Sequence, residues 1–114
     1  MAYDSTLAAI SDPTRRAVLE RLRFGPMSVG EIASGLPVSR PAVSQHLKVL
    51  KDAGLVNDAP DGARRLYMID TNGLAELRAW LDSFWDDALK SFKAEAERKV
   101  PRARKRASQT GKMR

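Results

Sequence analysis

Gln45 carries the most telling chemistry in this sequence. Its side-chain amide sets a donor beside an acceptor, the pattern that matches the N6 and N7 edge of adenine. Close by are Ser39, Arg40, Pro41, Ala42, Ser44 and Lys48. Ala42 can touch a thymine methyl, and Ser44 can bond a base edge or a phosphate. Arg40 and Lys48 suit guanine or phosphate, and the residue types alone leave that choice open. His46, the one histidine, suits a phosphate or an intramolecular hydrogen bond beside the groove. On one face of one helix these groups would read duplex DNA through its major groove.

That helix is legible in its neighbours. Ser39 is an N-cap residue and Gly54 is a stop. With Leu47 set inward, Val43 and Leu50 at i−4 and i+3 point inward too. Pro41, Ala42, Ser44, Gln45 and Lys48 fall on the other side. An ordinary amphipathic surface helix would show a similar wheel, but the turn before it and the hairpin after it add to the DNA reading. Arg64 and Arg65 follow Asp61-Gly62, a hairpin signal that would deliver charge to a neighbouring groove or backbone. As edge-strand residues they could instead serve only to discourage edge-to-edge pairing.

The remaining elements frame this unit. Tyr3, Leu7 and Ile10 are spaced for a short first helix. Asp12-Pro13 opens a second helix with Val18, Leu19 and Leu22 inward and Arg15, Arg16, Arg21 and Arg23 exposed. Gly25-Pro26 ends it. Ser28 and Glu31 form a capping box for a third helix burying Ile32, Ala33 and Leu36. After Gly54, strand-like runs at 55–59 and 63–69 flank Pro60-Asp61-Gly62. Thr71 or Asn72 then caps a long helix reaching about Lys99. The expected fold is mainly α with a small β-hairpin, a winged helix-turn-helix that dimerises through its terminal helices. Residues 1–99 form this domain, and 100–114 a basic, disordered tail.

Composition narrows the function. The 114 residues suffice for one modest core, and 6 % aromatics make that core aliphatic. No apolar run approaches the roughly 20 residues that cross a bilayer, and no signal peptide opens the chain, so a cytoplasmic protein is expected. Cysteine is absent, which excludes thiolate metal sites, and one histidine without companions cannot fill a metal shell. With no glycine-rich phosphate loop and no nucleophile–base pair, no catalytic residues and no cofactor are expected. The net charge of +6 is unevenly placed. Eight bases and no acids fall between Arg98 and Arg114, so the first 97 residues carry −2. Within them, Asp12 to Arg65 holds nine bases against six acids, and Asp70 to Glu97 three against seven. A positive reading unit thus precedes a negative helix.

The run Ser39-Arg40-Pro41-Ala42-Val43-Ser44-Gln45-His46-Leu47-Lys48-Val49-Leu50, followed by Ala53-Gly54-Leu55-Val56, resembles the recognition-helix signature of the ArsR family of bacterial winged-helix repressors. Asp12-Pro13-Thr14-Arg15-Arg16 with Leu19 resembles that family's second helix, and Glu31-Ile32-Ala33 its third. The resemblance spans roughly Leu7 to Leu81. It implies a homodimer that binds a palindromic double-stranded operator and usually represses transcription, often of its own operon. Metal sensing does not carry over. The third helix lacks the paired cysteines of metal-sensing members, and the last has Asp82, Asp86 and Asp87 without histidine. The likeness is to the cysteine-free branch, whose small-molecule inducers are often unidentified.

Along the last helix, Leu74, Leu77, Leu81, Phe84 and Ala88 alternate three and four apart as a coiled-coil-like seam. Trp85, Leu89, Phe92 and Ala96 form a second stripe, and Trp80 widens it. A domain this small cannot cover both. One stripe is expected on the winged core and the other, with Leu7 and Ile10, on a twofold mate. That assigns Leu7, Ile10, Leu77, Trp80, Leu81, Phe84, Trp85 and Leu89 to the dimer interface. A winged-helix module for protein contacts is the competing class, but Arg40, Gln45 and Lys48 make a poor protein-docking face. The tail could add nonspecific DNA attraction, fold back on the acidic helix or merely solubilise. Truncation after Val100 separates these roles. A DNA role predicts a salt dependence shallower by about 0.9 per lost phosphate contact, whereas an unchanged slope eliminates it.

Overall fold

Residues 2–99 are described by a computed structural model. In chain order they form α1 (Ala2–Ile10), α2 (Pro13–Leu22), α3 (Val29–Ser34), α4 (Arg40–Asp52), β1 (Val56–Asp61), β2 (Arg64–Ile69) and α5 (Thr71–Lys99). The expected basic tail at 100–114 lies outside the described residues. The chain divides within α5, between Ala79 and Trp80, into two units. No helix among the described residues is long and apolar enough to cross a membrane.

Local chemistry sets the helix ends. Asp12 accepts the Arg15 backbone N–H at 2.9 Å, with Pro13 opening α2. Ser28 and Glu31 complete a reciprocal capping box, the Glu31 carboxylate accepting the Ser28 N–H at 2.9 Å. The Ser39 hydroxyl accepts the Ala42 N–H at 3.3 Å. At the far end of α4, Gly54 takes φ +79, a conformation that side chains resist. Leu55 N–H then reaches Leu50 O at 2.9 Å and Gly54 N–H reaches Lys51 O at 3.0 Å. This is a Schellman stop, and its two apolar flanks, Leu50 and Leu55, are both fully buried.

The core of the first unit draws on every helix around α4. Val18 and Leu22 of α2, Ile32 of α3 and Val43, Leu47 and Leu50 of α4 are buried with Leu55, Val56 and Ala9. Three of the arginines expected at the surface are engaged. Arg15 Nε donates to Ala9 O at 2.7 Å, and Arg16 Nη1 to Ile10 O at 2.8 Å, so α2 caps the free carbonyls ending α1. Arg21 is half-buried and donates to Glu31 O at 2.9 Å.

The hairpin differs from its expected register. Its ladder runs from Val56↔Ile69 to Asp61↔Arg64, which leaves Gly62-Ala63 as the turn in place of Asp61-Gly62. Gly62 has φ +62 and Ala63 does not have positive φ, so glycine takes the first central position of the turn. The loop-closing pair exchanges hydrogen bonds, so Pro60 falls at the next, unbonded position, where its missing N–H costs nothing. A short bridge that the sequence did not signal joins Met27 to Tyr67, with N···O distances of 3.0 and 2.8 Å. It ties the turn before α3 to the hairpin.

The cap of α5 is Asp70 in place of Thr71 or Asn72, its carboxylate accepting the Asn72 N–H at 2.9 Å. Behind it Gly73 N–H bonds Gly54 O at 3.1 Å. A Cβ on Gly73 would stand 2.4 Å from that oxygen. Gly73→Ala is therefore expected to destabilise the fold by about 1–3 kcal/mol, read as a lower urea midpoint. An unchanged midpoint would show that the two backbones can separate freely.

Candidate nucleic-acid interface

The α4 wheel is realised in space. Val43, Leu47 and Leu50 are at most 1 % exposed, whereas Pro41, Ser44, Gln45 and Lys48 are exposed. Ala42 and His46 are half-buried at the border. Ser44 and Gln45 side chains have no hydrogen-bond partner among the described residues. Lys48 Nζ lies 3.5 Å from Asp52, one turn on, in an exposed pair worth little.

The wing stands beside this face. Ser28, Val29, Gly30, Arg40, Arg64, Arg65 and Tyr67 line an open cleft of about 440 Å³. Three arginines thus converge from the start of α4 and from β2. Arg40 lies across Gly30 so closely that a Cβ there would meet Nη2 at 2.9 Å. Arg64 contacts Asp61 through Nε at 3.2 Å and Glu31 through Nη1 at 3.4 Å. Arg65 Nε binds Asp58 at 2.6 Å. The structure therefore brings Arg40, Arg64 and Arg65 together in one cleft. Ser39, for its part, is engaged as the cap of α4.

Asp58 was missed at the sequence level. Its other oxygen binds Lys51 at 2.6 Å, and its side chain is only 7 % exposed. A signal was available: alternation from buried Val56 puts Asp58 on the inward face of β1. Glu31, legible in the sequence as a capping residue, also links α3 to the wing through Arg64.

The expected dimer residues fall into two groups. Leu7 and Ile10 of α1 are half-buried, Ile10 against the core. Leu77 is 8 % exposed within its own chain, which leaves little of it for a partner. Of the first stripe along α5, Leu74, Leu81, Phe84 and Ala88 are exposed. Beyond Ala79, Leu81, Phe84, Trp85, Leu89 and Phe92 are 48–69 % exposed, and Trp80 stacks on Phe84 with centroids 5.9 Å apart.

This architecture is shared. A family model described as a helix-turn-helix domain matches residues 10–59. The HTH-type transcriptional regulator Rv2034 of Mycobacterium tuberculosis (strain ATCC 25618 / H37Rv) is 60 % identical over 89 residues, covering 78 % of this chain and 83 % of that protein. An ArsR-like transcriptional regulator from Rhodococcus sp. RHA1 superposes with a TM-score of 0.70 at 33 % identity, over 84 % of this chain and 91 % of that one. The chain belongs to the ArsR family. Among other relatives of this ArsR protein, the transcriptional repressor SdpR of Bacillus subtilis (strain 168) is 37 % identical, covering 71 % of this chain and 90 % of its own. A homodimeric winged helix-turn-helix DNA-binding domain from Mycobacterium bovis matches at 27 % identity and TM-score 0.62, over 79 % of this chain and 83 % of that one. These are regulators, and the family is not an enzyme family.

Three carboxylates of this ArsR domain are held below their ordinary range. The Arg15 backbone N–H acts first on Asp12, aided by the charges of Arg15 and His46. Ser28, through its N–H and then its hydroxyl, lowers Glu31, with Arg64 and Arg21 adding charge. Lys51 and then Arg65 lower Asp58 by hydrogen bonding. A depressed folded-state value favours folding above the unfolded value, near about pH 4, and that gain is lost as pH falls through the folded value. Stability is expected to drop below about pH 4. Glu31→Gln, which keeps the capping box but cannot ionise, should flatten that drop in denaturation midpoints measured across the acid range. A slope equal to the parent's would remove Glu31 from the acid response.

Proposed function

We propose that this protein is a homodimeric repressor that binds a palindromic DNA operator, α4 entering the major groove and the β1–β2 wing flanking it. One observation supports it above the rest: Val43, Leu47 and Leu50 anchor α4 completely while Gln45 and Lys48 stay open. Gln45, Ala42 and Arg40 would choose sequence. Ser39, Pro41, Ser44, His46 and Lys48 would set register on the backbone, and Arg64 and Arg65 would serve it from the wing. Repression and a twofold assembly agree with what SdpR and the Mycobacterium bovis domain are named for. The protein would work in the cytoplasm, without metal or cofactor, and a small-molecule inducer would act by shifting the balance between free and bound dimer.

The dimer would be sealed by exposed apolar residues of α5, Leu81, Phe84, Trp85 and Leu89 with Trp80, and separately by Leu7 and Ile10 of α1. A twofold axis would set the two reading helices about 34–36 Å apart, one turn of duplex. Leu81→Lys and Trp85→Glu are each expected to weaken dimer and operator binding together. A dimer unchanged by sedimentation in both variants rejects this interface.

Mobility shifts on the chain's own upstream DNA test the reading itself. Gln45→Ala should cost about 1–3 kcal/mol on the preferred sequence and little on random duplex. Lys48→Ala should weaken both alike and lower the salt slope by about one. Equal losses on both duplexes for Gln45→Ala would strip it of a reading role.

A further inference from the structure

The doubly bound carboxylate of Asp58 raises a question that folding alone does not answer. It sits in the wing proposed to face a polyanion, where a negative charge should repel the ligand. Two features soften that cost. The side chain is only 7 % exposed, and each oxygen holds a cation at 2.6 Å, Lys51 from the last turn of α4 and Arg65 from β2. The three groups together carry a net positive charge, and the cations are the exposed part, at 49 % and 53 %.

The bonding mode is specific. Arg65 spends Nε on Asp58, and its Nη atoms have no hydrogen-bond partner among the described residues. A guanidinium held by Nε keeps its Nη1–Nη2 edge available, and that planar fork fits a phosphate in two parallel bonds. A long side chain otherwise loses rotamer freedom when it binds, and an arginine fixed in advance loses less. Arg65 also lines the cleft shared with Arg40 and Arg64, between the start of α4 and the wing. A DNA strand separating a major groove from the neighbouring minor groove would pass there.

We infer that Asp58 is a positioning residue for DNA binding, a carboxylate that braces Arg65 from the end of α4 so that its free edge receives one backbone phosphate. The inference rests on the DNA-binding reading above and adds to it an acidic residue that touches no nucleotide.

The sign of one substitution separates bracing from mere proximity. Asp58→Asn removes a negative charge near DNA, so a bystander would bind DNA as well as before or more tightly. A brace gives the opposite result. Fluorescence anisotropy of the full chain on a random-sequence duplex, across a salt series, should show Asp58→Asn weakening affinity about tenfold and lowering the salt slope by about one. Arg65→Ala should do the same, and the double variant should be no weaker than Arg65→Ala alone. Unchanged or tighter binding by Asp58→Asn overturns the inference, as do losses that multiply in the double variant. Should Asp58→Asn melt below the assay temperature, Arg65→Lys decides. It keeps the charge and a partner for Asp58 but gives up the fork, so it should also lose affinity, and full affinity would overturn the inference. Failure of the parent chain to bind any duplex would instead sink the DNA-binding reading from which this one starts.

Discussion

Everything useful about this molecule depends on α4 being held by one side only. Val43, Leu47 and Leu50 lose nearly all contact with water against Val18, Leu22 and Ile32. Burial of each such side chain is worth about 1.5–3 kcal/mol, enough to fix both the rotation and the height of the helix. The polar face then needs no stabilising role of its own. Gln45 and Ser44 can remain unsatisfied by protein because solvent, or a partner, satisfies them. A helix held less firmly would need polar contacts to its own domain, and those would consume the groups that α4 leaves free.

Capping divides the labour in the same way. Asp12, Ser28 and Ser39 each bond a backbone N–H at a helix start, and Gly54 closes the end of α4. Because these devices are local, short helices such as α3 survive between two breaks in the chain. Cations are treated differently. Arg15, Arg16 and Arg21 bind carbonyls, whereas Arg40 and Lys48 stay exposed on α4. Counting charges cannot tell the two uses apart, since both groups are arginines or lysines on helices.

Much of this is legible in the sequence. The wheel of α4, the capping box of α3, the glycine stop and the order of elements all follow from local rules acting on neighbours in sequence. Part of what escaped depends on pairs distant in the chain. The Met27–Tyr67 bridge joins segments with no periodic signature between them. Asp58 reads as an ordinary strand-edge acid until β1 turns its alternate face toward Lys51. The turn slipped by a residue because Asp-Gly suits a type with two positive φ angles, whereas this ladder needs only one, at Gly62. The cap of α5 moved for a similar reason, several good capping residues standing side by side at 70–72. The fate of the α5 apolar stripes was only half visible, since their pattern signals burial without saying in which chain.

The root of the hairpin has a consequence for how such proteins can diversify. Asp70 N–H bonds Leu55 O and Gly73 N–H bonds Gly54 O, so both ends of the wing are pinned to the stop of α4. Residues added to the hairpin in opposing pairs would lengthen the arm while its base stays clamped. Descendants could therefore lengthen or shorten the wing without altering the footing of the final helix. A lone residue inserted between Val56 and Asp58 has no such freedom unless a bulge absorbs it, because it would invert the alternation and swing Asp58 out to solvent.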